Sequence, residues 1–241
     1  MQIQTLTNYL NIETLPFFSV NGGNKNSQYS NKCEVTILVI YQKNINPFIV
    51  IAADLIWFSE DIVENLKNKI RGLFKNDNNN IVFCASHTHG TPNPNRNILY
   101  GNEAEKFSNH LKVVIWKTIE KVYKLKKIEV VANTSKLTAP DISINRRRKA
   151  FQFKKIPFKA MQSLPNKNKL VDKDLNIIKF SNVKNKKVEC IILKHTCHPV
   201  ADPNGILGAD YPGYLKIKLR KSMAKNIVFL QGFCGDIRPK V

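Results

Sequence analysis

Two histidines that follow a short apolar segment are the residues of this chain whose spacing first suggests chemistry. The segment Ile81–Ala85 (Ile-Val-Phe-Cys-Ala) predicts a buried strand, and Ser86-His87-Thr88-His89 follows it before Gly90 breaks the pattern. On an extended chain, side chains two residues apart point to the same side, so we expect His87 and His89 to do so. Imidazole is a common ligand for zinc and similar ions, and the stretch therefore suggests a metal site. The alternative is a pair of surface histidines after a strand.

A second histidine pair and several carboxylates also lie where apolar segments end. His195 and His198 follow one such segment, Asp54 and Asp236 follow two others, and Asp210 lies in a loop. In layered α/β folds the ends of strands gather at one edge of the sheet, where we expect these side chains to meet. One member of the second pair could instead only pack against its neighbour or orient it through a hydrogen bond. Asp54 could equally be a buried hydrogen-bonding group.

The elements that must position these residues are strands that alternate with helices. Strands are predicted at residues 35–41, 48–53, 81–85, 127–137, 188–193 and 226–230, and helices at 59–73, 102–122 and 214–223. This order predicts an α/β fold with a layered, mixed β-sheet and flanking helices, organised as a single domain over residues 1–241. Residues 1–32 are polar and poorly patterned. Residues 150–187 contain few periodic segments, part of which could form a hairpin.

The composition is strongly basic. Binding to nucleic acid, to an anionic membrane or to an acidic substrate could each explain this charge. The chain carries 38 Lys and Arg against 18 Asp and Glu, a formal net charge of +20. The lysines are spread along the whole length, and the one dense cluster is 146–149 with Lys154 and Lys155. We therefore do not expect nucleic-acid binding to be the main function.

The five cysteines are an odd number, and four of them lie in or beside apolar segments. This pattern favours reduced thiols in a cytoplasmic protein over a disulfide framework. Cys84 and Cys197 lie within three residues of histidines, so either thiolate could bind a metal, although we expect Cys84 to point into the core. The first residues do not resemble a secretory signal, and the apolar runs are too short for a membrane span, so we expect neither feature.

Four motifs, taken in order along the chain, resemble those of the neutral/alkaline, non-lysosomal ceramidases. They are Ser86-His87-Thr88-His89-Gly90, then Asn145-Arg146, then His198-Pro199 followed by Gly208-Ala-Asp-Tyr-Pro-Gly-Tyr214, and finally Cys234-Gly-Asp-Ile237 with Pro239. The resemblance covers residues 80–240, whereas the first 80 residues are similar only loosely, in a strand that ends at Asp54. It implies the α/β domain of that family, in its N-terminal catalytic part.

The resemblance also implies a reaction and a role for each motif residue. The family hydrolyses an amide bond, using a zinc ion that lowers the pKa of a bound water. By position, His87 and His198 would be zinc ligands, and His89 an acid/base or a stabiliser of the transition state. Arg146 would bind or polarise the scissile amide of a small or lipid-like substrate.

Two departures from the family pattern affect the expected site. The family's remaining zinc ligands, a glutamate and a tyrosine, lie far downstream and have no counterpart up to Val241, so we expect a partial catalytic domain. Asp54, Asp210, Asp236 or a partner subunit, encoded separately or by a split gene, could supply the third ligand. Arg238 stands where the family has a serine, which argues against ceramide itself as the substrate.

The sequence therefore leads to one main hypothesis and two alternatives. The main hypothesis is a zinc-dependent amidohydrolase that acts on a linear amide. The first alternative is a non-catalytic remnant of such a domain. The second is a basic module that binds anionic lipid or nucleic acid, in which Arg146 would contribute charge and not catalysis.

Overall fold

The computed structural model describes residues 1–14, 19–24, 26–75, 80–94, 101–152 and 158–240, with only the backbone at 14, 101, 150–152 and 158–162. The strands are β1 (Gln2–Tyr9), β2 (Tyr29–Asn31), β3 (Glu34–Gln42), β4 (Ile45–Ala53), β5 (Ile81–Ala85), β6 (Ile128–Thr138), β7 (Ser143–Gln152), β8 (Phe158–Asn166), β9 (Asp174–Asn182), β10 (Val188–His195), β11 (Leu207–Gly208), β12 (Asn226–Gln231) and β13 (Ile237–Pro239). The helices are α1 (Glu60–Phe74), α2 (Gly101–Lys124) and α3 (Asp210–Ser222), with a 3-10 turn at Ile12–Thr14.

Eight of the strands form one mixed sheet in the order β12-β10-β9-β6-β1-β3-β4-β5. Its inner pairs are antiparallel, whereas β4 with β5 and β10 with β12 run parallel. The predicted mixed sheet with flanking helices is thus confirmed. The two parallel pairs matter for the site because the carboxyl ends of paired strands lie together at one edge.

The sheet folds back on itself between β1 and β6, which pair only through Gln2 with Glu129 and Ile3 with Ile128. Its two halves then face each other across a shared apolar cluster, to which Leu38 and Val50 contribute from one half and Phe180, Ile192 and Val228 from the other. A hydrogen bond of 3.1 Å from Thr36 Oγ1 to the Ile227 carbonyl crosses between the halves. β12 therefore lies against β3, although the two strands are far apart in the order of the sheet.

The helices cover the outer faces of this double layer. α1 and α2 pack on the outer face of β3 and β4, where Ile37 and Ile49 meet Leu66 and Phe107. Leu219 of α3 packs on the outer face of β10 and β12. The result is a four-layer α-β-β-α arrangement. Because central strands are buried on both faces, they appear in the sequence as continuous apolar runs.

Two strands lie in segments whose hydrophobic pattern is weak. β1 is central in the sheet although Gln4 and Thr5 are polar. Both are buried, and Gln4 Nε2 donates to the Tyr123 carbonyl at 3.2 Å. β9, within the weakly periodic 150–187 region, is also a sheet strand, and β8 of the same region pairs antiparallel with β7, which begins before it. Among the described residues, no helix is long and apolar enough to cross a bilayer.

Candidate metal centre

His87 lies two residues beyond the end of β5, in a left-handed backbone conformation with φ of 66°. Its backbone N–H donates to the Leu55 carbonyl at 2.9 Å, and its Nδ1 lies 2.8 Å from the Ile56 carbonyl. The chain is therefore not extended at His87, and the geometry on which we based the shared orientation of His87 and His89 is absent. The two rings nevertheless lie near each other, with centroids 5.5 Å apart. Non-glycine residues in this region of backbone space are uncommon and often belong to functional sites.

His198, in the loop after β10, joins the two rings from the opposite layer of the sandwich. Its ring centroid lies 4.8 Å from that of His87 and 5.0 Å from that of His89. Its Nδ1 lies 3.2 Å from the Cys234 carbonyl, and its Nε2 lies 3.0 Å from His89 Nε2. Three imidazoles from two separate motifs thus converge.

The hydrogen bonds and the surroundings of these rings fix their protonation. A carbonyl oxygen only accepts, so Nδ1 of both His87 and His198 carries a proton, and in the neutral ring the lone pair is then on Nε2. Burial lowers the pKa of His198 to about 4, and the nearby Arg146 adds to this although the Cys234 carbonyl opposes it. Burial, followed by His87 and Arg146, also lowers the pKa of His89. The His89 and His198 rings are therefore neutral at pH 7, the form that binds a metal.

The donor set fits a zinc ion. Among the described residues, ligand atoms of His87, His198 and Cys234 all lie within 4.8 Å of one another. Imidazole nitrogen and thiolate sulfur are the ligands that zinc prefers, and a ligating histidine usually donates its other N–H to a carbonyl or carboxylate. Since His198 Nε2 has a single lone pair, it can either bind a metal or accept a hydrogen bond from the His89 N–H, but not both.

Arg146 and the segment 232–239 meet because β13 pairs with β7, with Ile237 opposite Asn145. Arg146 Nε and Nη2 donate to the Gly235 carbonyl at 3.2 and 3.1 Å, and Asn145 Nδ2 donates to Asp236 Oδ2 at 2.8 Å. Two motifs that are 90 residues apart in the chain are therefore in direct contact. Burial lowers the pKa of Arg146, and the charges of Arg147 and Arg238 contribute, so three guanidinium groups lie near one another.

The third motif holds the loops around the rings. Thr88 Oγ1 donates to the Gly208 carbonyl at 2.8 Å, and the Gly208 N–H donates to the Gly90 carbonyl at 2.9 Å. Asp210, with φ of 54°, accepts the backbone N–H groups of Ala201 and Asp202 at 3.2 and 2.8 Å. Asp210 thereby anchors the chain just after His198 and starts α3, four residues before the predicted start.

The other candidate residues have partners of their own. Asp54 is buried, accepts the Glu34 N–H at 2.9 Å and forms an ion pair with Lys216. His195 Nδ1 lies 3.4 Å from the Asp174 carbonyl, and its buried Nε2 has no hydrogen-bond partner among the described residues. The cluster of three ligands does not include Asp54, His195, Asp210 or Asp236, whose role as ligands stays a prediction.

Cys234 is the residue that the sequence reasoning missed. Cys84 and Cys197 attracted attention through their closeness to histidines in the chain, whereas Cys234 is 36 residues from His198. The available signal was that Cys234, like the histidines, follows the end of an apolar strand.

A cavity of about 290 Å³ lies beside the rings. His89 and Thr88 line it together with Asn21, Pro199 and Asp202. His89 thus faces a space that a small molecule could enter.

The molecule is thus a four-layer α/β domain with a histidine-lined candidate metal centre at one edge of its sheet. Two solved structures share this fold. One is neutral ceramidase from Pseudomonas aeruginosa, with a TM-score of 0.78 and 15% identity over 99% of this chain and 39% of that chain. The other is a ceramidase complexed with C2, with a TM-score of 0.77 and 14% identity over 99% of this chain and 38% of that chain.

The resemblance suggested by the motifs is confirmed at the level of the fold. The chain spans about two fifths of the length of these two proteins. No family model matches the sequence, and no curated protein matches it.

Proposed function

We propose that this protein is a zinc-dependent hydrolase that cleaves an amide (N-acyl) bond. The observation that carries the proposal is the convergence of His87, His198 and Cys234 beside His89 and Arg146. The shared fold with proteins named as ceramidases supports the same reaction class. A bound zinc ion would supply Lewis acidity and an activated water.

The remaining chemistry belongs to side chains of this chain. His87 and His198 would hold the metal through Nε2, because each Nδ1 proton is committed to a carbonyl. His89 is neutral and faces the cavity, so it can take a proton from the attacking water and deliver it to the leaving amine. The Arg146 guanidinium, which donates to a carbonyl already, can turn to stabilise the oxyanion of the substrate.

Two features near the centre support a lipid-like amide as the substrate, with a polar or anionic group near the amide. The Phe233 ring, next to Cys234, is 94% exposed and would gain from covering an acyl chain. Arg147 and Arg238 concentrate positive charge around Arg146. All five cysteines are free thiols, which supports a cytoplasmic location.

The test combines metal analysis with a substrate panel. We expect about one zinc per chain, in line with a mononuclear catalytic site, and its loss in the double variant His87→Ala/His198→Ala. His110→Ala is the control, because His110 Nε2 binds the Leu10 carbonyl at 2.7 Å and takes no part in the cluster. Fluorescent ceramides and simple N-acyl amides would be assayed with and without zinc. A wild-type protein that binds no metal would contradict the proposal.

A non-catalytic remnant is the second candidate. It is favoured by Arg238, which stands where the ceramidase motif has a serine. Stoichiometric zinc binding without cleavage of any amide in the panel would support it. Activity that appears only when a separately encoded segment is added would instead point to a partner subunit that completes the site.

A further inference from the structure

Cys234 stands apart from the other four cysteines by its position. Cys33, Cys190 and Cys197 are buried, and Cys84 is half-buried. Among the described residues, only the sulfur of Cys234 forms a group with two histidine ligand atoms within 4.8 Å. A thiol in that position lies close to ring nitrogens of two imidazoles.

The loop that carries Cys234 is held on several sides. The Gly232 N–H donates to the His195 carbonyl at 2.8 Å, and the Ile237 N–H donates to the Cys234 carbonyl at 3.2 Å. The same Cys234 carbonyl accepts from His198, while the next carbonyl, that of Gly235, accepts from Arg146. One residue therefore orients the His198 ring through its backbone and presents a sulfur beside that ring.

We propose that Cys234 Sγ is the third protein ligand of the metal, which makes a His87-His198-Cys234 site. The inference rests on the metal site of the proposed function but goes beyond it. On binding, the Sγ–H bond breaks, its proton passes to water, and the sulfur lone pair forms the metal bond. Three protein ligands with one open position are the usual arrangement of a catalytic zinc site. No ligand from Asp54, Asp210, Asp236 or a partner is then needed.

The experiment is a Co²⁺ titration of the full chain, followed by absorption spectroscopy. A cobalt–thiolate bond gives a near-ultraviolet charge-transfer band that nitrogen and oxygen ligands do not give. We expect the band in the wild type and in Cys84→Ser, and its loss in Cys234→Ser. The affinity of Cys234→Ser should fall by more than the 10- to 100-fold that loss of a residue supporting a ligand costs.

A measurement on the unmodified chain guards against a variant that fails to fold. Zinc should protect Cys234 from alkylation by iodoacetamide, read by peptide mass spectrometry, and leave Cys84 as reactive as before. Cobalt binding with no thiolate band and no protection overturns Cys234 ligation, while the histidine-based hydrolase stands. Absence of any metal binding overturns both proposals, and a thiolate band without amide cleavage overturns only the hydrolase.

Discussion

At the scale of single residues, the site depends on places where two backbones touch without side chains between them. A Cβ atom built on Gly90 would lie 2.6 Å from the Gly208 carbonyl oxygen and 2.7 Å from the Gly208 nitrogen. Both obstructing atoms are backbone atoms, which cannot move aside as a flexible side chain would. The loop with His89 and the loop before Asp210 are therefore closely packed, which fixes the floor of the cavity.

We expect Gly90→Ala to lower the free energy of unfolding by about 1–3 kcal/mol, as overpacking does in a close-packed interior. Gly72→Ala is the matched control, since Gly72 lies in α1 and has no atom within 4 Å of its Cβ position. That control should raise stability by about 0.5–1 kcal/mol through helix propensity. Urea unfolding of both variants measures the difference. Equal midpoints would mean that the two loops do not pack as described.

A second residue-scale prediction concerns Phe233. If its exposed ring covers the acyl chain of the substrate, Phe233→Ser should lower kcat/KM for a long-chain N-acyl amide by about tenfold or more, given about 1.5–3 kcal/mol for burial of such a side chain. The N-acetyl analogue should be cleaved at an unchanged rate. Leu170→Ser serves as the control, because Leu170 is 95% exposed and lines a different cavity. An equal loss of kcat/KM with the long-chain and the N-acetyl substrates would show that Phe233 supports the structure of its loop and does not cover the acyl chain.

At the scale of elements, α3 is joined to the first half of the sheet by a buried ion network. Lys216 Nζ pairs with Asp54 at the end of β4 and lies 3.5 Å from Glu34 at the start of β3. Arg220 Nη1 donates to Glu34 Oε1 at 2.7 Å. Burial raises the pKa of Asp54, and Lys216 offsets part of that rise. The network ties α3, which begins within the third motif, to β4, the strand that runs beside β5.

We expect Lys216→Met to destabilise the protein by about 3–5 kcal/mol, because it leaves the buried Asp54 carboxylate without its cation, whereas Glu34 keeps Arg220. Lys218→Met, an exposed position on the same helix, should change stability by less than about 0.5 kcal/mol. Adding Asp54→Asn to Lys216→Met should recover part of the loss in a double-mutant cycle. Additive losses in thermal or urea unfolding would show that the two groups do not interact.

The contact between α1 and α2 should depend on pH through Asp61. Burial raises the pKa of Asp61, but hydrogen bonds from Lys112, Ser59 and Ser108 outweigh it and lower the pKa to about 2. A carboxyl group whose folded pKa is depressed stabilises the fold above its unfolded pKa, near 4, and loses this contribution as the pH falls towards 2. Asp61 is 47% exposed, so we expect about 1 kcal/mol after solvent screening.

The measurement compares wild type with Asp61→Asn by urea unfolding between pH 6 and pH 2.5. The difference in stability should be constant above about pH 4.5 and shrink below it, following the titration window of this carboxyl group. A difference that does not vary over the whole range would contradict the assigned pKa.

Elements with strong local pattern were predictable and those that depend on distant partners were not. α1 and β5 are found close to the predicted residues, since the buried stripe of Ile62, Leu66 and Ile70 and the apolar run before His87 are local signals. β1 was not recognised because buried Gln4 donates its hydrogen bond to the carbonyl of Tyr123, which lies 119 residues away. The predicted helix 214–223 also begins four residues too late, because α3 starts at Asp210, which has a left-handed conformation.

At the scale of the whole molecule, the site could be predicted only in part because it forms between layers. The His87 and His198 motifs were visible in the sequence, since each follows an apolar strand. Whether the two strand ends meet depends on the fold-back between β1 and β6, which pair through two residue pairs and leave no local signature. The loop of Cys234 lies against the His198 ring because β12 pairs in parallel with β10, and the fold-back then brings His87 to both residues.

The net charge of +20 is also a property of the whole molecule. It leads to a test of the remaining alternative, a basic binding module. Lysines lie on every part of the chain, so we expect attraction to nucleic acid that is weak, non-specific and suppressed by salt. Arg148→Gln/Lys149→Gln, in the dense basic cluster, and Lys184→Gln/Lys187→Gln, in the turn after β9, remove equal charge from exposed positions. Both should weaken binding to a DNA duplex, and reduce its salt dependence, to the same degree.

Binding isotherms at several salt concentrations would separate a diffuse field from a dedicated surface. A diffuse field depends on total charge, and therefore the position of the two removed charges does not matter. Loss confined to the Arg148→Gln/Lys149→Gln variant would instead locate a binding face on β7, next to the Asn145-Arg146 motif. In that event Arg146 would contribute positive charge to the same face, and its contact with the Gly235 carbonyl would serve to hold that face against β13.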